Sequence, residues 1–319
     1  MPWDTPISSE LEQVEARIRS SVVCEENLLT DICCHVIGAG GKRIRPGVAL
    51  LSNRAVGGKG SDDIINLAAS FELIHSATLI HDDINDLGEI RRGREAAYRK
   101  YGVQKALIAG DFLFVRSFRL GGTWDSRVVQ IVADAATAIA ESEIVQSSHE
   151  FDPSVPQEVC EKIIEGKTAK IIEAAAMVGS YLGKGSDDQV KKLSAYGLNL
   201  GMAFQIVDDI LDIDGNESQL GKSKGVDFID GKPTLPLMFA MEDPQFGSRL
   251  AKMFTKRKKT KQEVEEALRL VQKTNAVDRS YRIAKGYKSK ALHNLEGIPD
   301  SVFKESLSQL AEMVVSRRK

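Results

Sequence analysis

Apolar residues recur at three- and four-residue intervals along most of this chain, the spacing of helices that bury one face. No segment alternates apolar and polar positions with the period of two that marks a strand. Ile64, Leu67, Ala68, Phe71, Ile74, Ala77, Leu79 and Ile80 are apolar around most of a helical circumference, which predicts a central helix buried on all sides. A second such helix is predicted from about Leu193 to Ile213, and amphipathic helices over Val128 to Gln146 and Val159 to Leu182. Proline, which breaks helix interiors, is absent between Pro46 and Pro153 and again between Pro156 and Pro233. The predicted fold class is all-α, a single large bundle forming one domain over residues 1–319. Glycines mark the connections, at Gly38 to Gly41, Gly57 to Gly60, Gly121-Gly122, Gly183 to Gly185 and Gly215 to Gly231.

Composition narrows the class. A chain of 319 residues with 42% hydrophobic and 28% charged residues can bury a substantial globular core. Lys and Arg number 43 against 45 Asp and Glu, so the formal charge of -2 gives no reason to expect a nucleic-acid partner. The four cysteines, Cys24, Cys33, Cys34 and Cys160, lack zinc-ligand spacing, and adjacent Cys33 and Cys34 are poorly placed for a disulfide. Free thiols in a reducing cytoplasm are expected. Met1-Pro2-Trp3-Asp4 carries no secretory pattern, and no apolar stretch is read as reaching the ~20 residues of a transmembrane segment. The basic run Lys256-Arg257-Lys258-Lys259 reads as a solvated loop, with contact to a membrane surface, where product would be released, as the alternative.

The candidate chemistry lies at the ends of the two buried helices. Asp82, Asp83 and Asp86 follow the first, and Asp208, Asp209 and Asp212 lie in the same internal spacing on the second. On a helix, residues i and i+4 share a face, so Asp82 pairs with Asp86 and Asp208 with Asp212. Crowded carboxylates repel and are costly to desolvate, so apolar helices gain nothing from them unless a cation is bound. Mg²⁺ is the natural candidate, because it takes carboxylate, water and phosphate oxygens. Arg91-Arg92-Gly93, expected on a helix end or following loop, supplies guanidinium groups suited to phosphate. Lys42 and Arg45 follow a glycine-rich turn, and Lys167-Thr168, Lys222 and Lys232 each follow a glycine. So many cations beside two acidic clusters favour a pyrophosphate-bearing substrate. His75, two turns before Asp82, is a phosphate contact or a core histidine; Gln205, three residues before Asp208, orients substrate or bridges helices.

Together, and in order, Gly41-Lys42-Arg43-Ile44-Arg45-Pro46, Asp82 to Asp86 with Arg91-Arg92-Gly93, Gly110-Asp111, Gly166-Lys167-Thr168, Phe204 to Asp212, Leu220 to Asp227 and Gly231-Lys232-Pro233-Thr234-Leu235-Pro236 resemble the trans-isoprenyl diphosphate synthases. That resemblance implies the isoprenoid synthase bundle with a central tunnel, homodimerisation, and condensation of isopentenyl diphosphate with an allylic diphosphate. It implies that Asp82, Asp86 and Asp208 ligate three Mg²⁺, with Asp83, Asp209 and Asp212 in support. Arg91, Lys167, Lys222 and Lys232 would hold the allylic diphosphate; Lys42, Arg45, His75 and Arg92 would bind isopentenyl diphosphate; Gln205 and Thr168 would line the reaction centre. Ala77 and Thr78, five and four residues before Asp82, are too small to block a tunnel, so a product of C30 to C50 is expected, with Ile74 or Phe71 as its floor. A C20 product is the alternative, and a non-catalytic subunit of a heteromeric synthase a further one. A terpene cyclase would have no use for Lys42, Arg45 and Arg92 as a second diphosphate site.

Overall fold

A computed structural model describes residues 2–121, 124–215 and 224–316. Two compact units make up the chain, each assembled from three stretches of sequence. One comprises Met1–Asp134, Glu173–Ser194 and Leu295–Gln309; the other comprises Ala135–Ile172, Ala195–Asn294 and Leu310–Lys319. Helices dominate both, in keeping with the predicted class. In chain order they begin with α1 (Ser8–Ser21), α2 (Asn27–Ile37), α3 (Ile44–Ala55), α4 (Asp62–Asn85), α5 (Ala97–Tyr101), α6 (Val103–Leu120), α7 (Ser126–Ser148) and α8 (Gln157–Ile164). After a π-helical turn at Glu165–Ala169 come α9 (Lys170–Leu182), α10 (Asp187–Asp214), α11 (Val226–Asp230), α12 (Leu235–Met241), α13 (Gly247–Phe254), α14 (Lys261–Gln272), α15 (Ala276–His293) and α16 (Val302–Ser316).

α4 is the core of the first unit. Ile64, Leu67, Ala68, Phe71, Ile74 and Ala77 are all fully buried, and α1, α3 and α6 pack around them. Each large apolar side chain so buried contributes roughly 1.5–3 kcal/mol. By length and composition alone α4 passes the test for a membrane-spanning helix. Its apolar window is 72% buried within the protein, as suits a core helix. Gly110 on α6 lets that helix come close to α4, since a Cβ there would lie 2.3 Å from His81 Nε2.

A buried ion triad fixes where α3 begins. Arg43, at φ 50, donates to Glu15 of α1 and to Glu72 of α4. The Glu72 side chain is only 4% exposed and that of Arg43 10%. A carboxylate buried so deeply requires its partner, because the charge cannot otherwise be desolvated.

In the second unit the π-helical turn sits where two backbones press close. A Cβ on Gly166 would lie 2.9 Å from the Ala138 carbonyl of α7, and one on Gly201 of α10 would lie 2.5 Å from Ala169 Cα. The predicted continuous helix from Val159 to Leu182 is therefore interrupted, by a wide turn that apolar spacing does not reveal. α12 packs on α8, α13 and α15.

Three other expectations are corrected. Ile90–Arg91 and Arg94–Glu95 pair as a two-residue hairpin, too short to show a period of two. The glycine-rich segment from Gly215 to Gly231 contains α11, a five-residue helix between two left-handed glycines, Gly225 and Gly231; residues 216–223, and with them Lys222, lie outside the described residues. The basic run at Lys256 to Lys259 is not a uniformly solvated loop, because Lys259 lies over three phenylalanine rings.

Arg43→Met tests the triad. It leaves Glu72 buried without its guanidinium, and chemical denaturation is expected to show a loss of about 3–5 kcal/mol. Glu72→Gln in the same background should recover part of that loss.

Candidate active site

The first acidic cluster closes α4. The Asp86 N–H donates to the Asp82 carbonyl at 2.8 Å, which keeps the two carboxylates on one helical face, Asp82 in the last turn of α4 and Asp86 just beyond it. Leu87 then turns left-handed at φ 53, and the Gly88 N–H returns to the Asp83 carbonyl at 3.0 Å. This is a Schellman closure in which Leu87 takes the place usual for glycine, at a cost of roughly 1–2 kcal/mol. Asp82 and Asp86 are half-buried, whereas Asp83 is 5% exposed.

Arg91 is held by Asp83, whose Oδ1 accepts from Nε at 2.8 Å and from Nη2 at 2.5 Å. The hairpin presents Arg91 and Arg92 on adjacent positions, with Arg92 (φ 51) and Gly93 (φ 74) as its two turn residues. Two successive positive φ values match the twist of a tight hairpin. So the arginines lie in the connection that follows α4, the second of the two expected placements, and that connection is folded as a short hairpin. Its outer edge is tied down by His35, whose Nε2 contacts the Glu95 carbonyl at 2.8 Å, and by Arg94, which donates to the His35 carbonyl at 3.4 Å.

Arg92 donates to the Gly40 carbonyl and contacts His75 Nε2 at 3.5 Å. Gly41 admits this guanidinium, since a Cβ there would lie 2.9 Å from Nη1. His75 is held well below the usual histidine range, by desolvation first and then by Arg45, Arg92, Arg91 and Arg43. It is therefore neutral at pH 7, in a group of four arginines that attracts anions. Burial also lowers the pKa of Arg92. Lys42 is exposed in the same loop. The first unit thus gathers Arg45, Arg91 and Arg92 around His75.

The second cluster lies within α10. Asp208 is half-buried, while Asp209 and Asp212 are 5% and 1% exposed. A hydrogen-bond chain runs from Thr168 Oγ1 to Gln205 Oε1 at 2.7 Å, and from Gln205 Nε2 to Asp209 Oδ1 at 2.8 Å. The π-helical turn supplies Thr168 to that chain and also carries Lys167, whose Nζ meets Gln146 at 3.0 Å and Glu143 at 2.5 Å. Glu143 and Gln146 were not anticipated; their i, i+3 spacing on α7 is the signal that was available.

Asp227 joins the second cluster. Its N–H donates to Asp212 Oδ2 at 3.1 Å, and its carbonyl accepts from the Lys232 N–H at 2.8 Å. Lys232 is 8% exposed, with Nζ 3.6 Å from Asp230. Burial, followed by Asp227 and, more weakly, Asp208 and Asp212, raises Asp209 well above the carboxylate range despite the Gln205 hydrogen bond. Asp83 is raised too, chiefly by burial, against the pull of Arg91.

These features fit divalent cations. The donors are hard carboxylate oxygens, and Asp209 is raised first by burial and then by the neighbouring carboxylates Asp227, Asp208 and Asp212, both of which a bound cation would offset. Among the described residues no group of three or more His, Cys, Asp or Glu side chains forms a ready-made metal site. A cation here would complete its shell with substrate phosphate and water, as Mg²⁺ commonly does.

The polyprenyl synthetase family model matches residues 26–271. The chain belongs to the polyprenyl synthetase family. Within this family it is 34% identical to the octaprenyl diphosphate synthase of Haemophilus influenzae over 311 residues, covering 97% of this chain and 94% of that protein. It is 36% identical to a short chain isoprenyl diphosphate synthase of Methanothermobacter thermautotrophicus, covering 96% of each. A crystal structure of polyprenyl synthase from Caulobacter crescentus, complexed with calcium and isoprenyl diphosphate, superposes with a TM-score of 0.95 at 34% identity, covering 99% of this chain and 97% of that one. This polyprenyl synthetase has the all-helical isoprenoid synthase fold and is a trans-prenyltransferase.

Asp209→Asn tests the raised pKa. In the unfolded chain the carboxyl ionises near its ordinary value of ~3.9. In the fold it keeps its proton to higher pH, so the folded state binds more protons across that interval and stability falls as pH rises through it. Without divalent cation, the variant should melt at a higher temperature than wild type at pH 7 and at the same temperature near pH 3. Added Mg²⁺ should stabilise wild type more than the variant.

Proposed function

We propose that this polyprenyl synthetase condenses isopentenyl diphosphate head-to-tail with an allylic diphosphate and releases a trans-polyprenyl diphosphate of C30 to C50. The observation that carries the reading is that each unit holds an acidic cluster on a buried helix with cations in the same unit: Asp82, Asp83 and Asp86 with Arg91 and Arg92 in one, and Asp208, Asp209 and Asp212 with Lys167 and Lys232 in the other. A binding protein for a single diphosphate would not need both. The whole chain acts in this reading as one catalytic domain.

Asp82, Asp86 and Asp208 would hold three Mg²⁺, with Asp209 and Asp212 in support; when bound, the ions supply the charge neutralisation that a departing diphosphate needs. Asp83, engaged by Arg91, acts as its positioner. Arg91, Lys167 and Lys232 bind the allylic diphosphate, and Lys222 takes the same role. Lys42, Arg45, Arg92 and His75 bind isopentenyl diphosphate, with neutral His75 able to donate from one ring nitrogen and accept at the other. The allylic C–O bond breaks, the double bond of isopentenyl diphosphate forms the new C–C bond, and the resulting cation loses a proton to the departed diphosphate. Thr168 and Gln205, hydrogen-bonded to each other and, through Gln205, to Asp209, would line the reaction centre.

Chain length follows from α4. Ala77 and Thr78 leave a bulky group absent one turn before Asp82, while Ile74 and Phe71 lie deeper on the same helix. The 33% identity to the geranylgeranyl diphosphate synthase of Saccharolobus solfataricus supports C20 as the second reading. Exposed Leu107, Ile108, Val115 and Phe118 along α6 support a homodimer.

Purified protein incubated with isopentenyl diphosphate and C10, C15 or C20 allylic primers should give a Mg²⁺-dependent product ladder ending at C30 or beyond. A ladder ending at C20 would overturn the long-chain assignment alone, and absence of condensation would overturn the function. Ala77→Phe should shorten the final product by two or more isoprene units while condensation persists; unchanged length would show that the chain grows elsewhere.

A further inference from the structure

The sequence run Lys256 to Lys259 has no place in the reading above, yet its side chains are not idle. Lys256 pairs with Glu263 at 2.5 Å, whereas Arg257 and Lys259 turn to one phenylalanine. Lys259 Nζ stands 4.8 Å from the ring centre of Phe151, 5.1 Å from Phe228 and 5.8 Å from Phe254, and donates to the Ile229 carbonyl at 3.1 Å. Arg257 lies over the same Phe151 ring at 5.1 Å. Phe228 and Phe254 are 1% and 0% exposed, so two walls of this cage are immobile core.

Phe151 in turn covers a glycine. Its backbone is left-handed, at φ 63, and its N–H donates to the Gly231 carbonyl at 2.8 Å. A Cβ on Gly231 would lie 2.4 Å from the Phe151 ring. Gly231 is the left-handed residue that ends α11, and the Lys232 N–H bonds back to the Asp227 carbonyl at 2.8 Å. The direction in which Lys232 leaves α11 is therefore set by how Gly231 sits beneath Phe151.

We propose that Lys259 is a positioning residue for the allylic diphosphate site, clamping Phe151 onto Gly231 and so fixing the turn that presents Lys232. This rests on the assignment of Lys232 to that diphosphate. Three features argue against a passive surface contact. A non-glycine residue at positive φ persists only where its surroundings hold it. A lysine over three rings while bonded to the last turn of a helix is oriented by both its cation–π and its carbonyl contacts. Burial also lowers its pKa to about 8, against the opposing influence of Asp230 and Glu263, with Arg257 as the neighbouring cation on Phe151.

The test uses the full chain with isopentenyl diphosphate and a C15 allylic primer, comparing Lys259→Met, Lys259→Arg and Phe151→Leu with wild type. Lys259→Met and Phe151→Leu should raise KM for the primer about tenfold and leave KM for isopentenyl diphosphate within about twofold, the scale of a lost cation–π contact. Lys259→Arg should restore most of the primer affinity. In wild type, primer KM should climb between pH 7 and 9 as Lys259 loses its proton, and in Lys259→Arg that climb should vanish. Unchanged primer KM, equal changes in both KM values, or a pH climb that survives in Lys259→Arg would overturn the proposal. Wild type incapable of condensation would overturn the function instead; calorimetric titration with Mg²⁺ and inorganic pyrophosphate then decides the clamp, supported if Lys259→Met weakens binding and overturned if it does not.

Discussion

Charge gathered against apolar helices is the constraint on which the rest of this structure depends. α4 and α10 are built from side chains that belong in a core, and each ends in carboxylates that belong in water. Desolvating like charges together is costly, so each helix is tolerable only with counter-charges supplied at fixed positions. Arg91 answers Asp83, and Arg43 answers Glu72 and Glu15. Where the answer is incomplete, as at Asp209 beside Asp227, Asp208 and Asp212, the proton is held more tightly.

Holding those counter-charges in place requires unusual backbone. Arg43, Leu87, Arg92 and Phe151 all have positive φ, and each adjoins a charged group of the candidate site. Arg43 opens α3, Leu87 closes α4 behind Asp86, Arg92 forms the hairpin turn, and Phe151 lies on Gly231. A left-handed non-glycine residue is unfavourable by itself, so its persistence reflects packing and hydrogen bonds around it. The π-helical turn at Glu165–Ala169 is a related device, since a wide turn carries both Lys167 and Thr168.

These devices mark the limit of what the sequence disclosed. The long elements were legible, because α4, α7 and α10 each repeat the helical period over many residues, and the acidic clusters were legible from spacing alone. Arg45, Arg91 and Arg92, which the structure gathers around His75, were picked out because cations near carboxylates are conspicuous in sequence. The hairpin was missed because two-residue strands carry no period, and α11 because five residues are barely more than a turn. Glu72, Glu143 and Gln146 were missed because a lone polar residue on a helix looks the same whether it faces water or a buried cation. Lys259 was misread for the same reason: a run of four basic residues is usually solvated, and only the fold brings three phenylalanines beneath one of them.

Three of the candidate cations among the described residues carry partners within their own units. Arg91 rests on Asp83, Lys167 on Glu143 and Gln146, and Lys232 near Asp230. In the proposed reading, an anion binding at any of these cations would exchange one set of charged contacts for another and would not have to order bare, mobile side chains. The difference matters for catalysis by charge, because donors already fixed in direction need little reorganisation as negative charge develops on a leaving group. It also explains why rigidity extends beyond the groups that would touch substrate. A lysine that is free to rotate gives up part of its electrostatic advantage to entropy, whereas one whose backbone is pinned by a neighbouring turn keeps it.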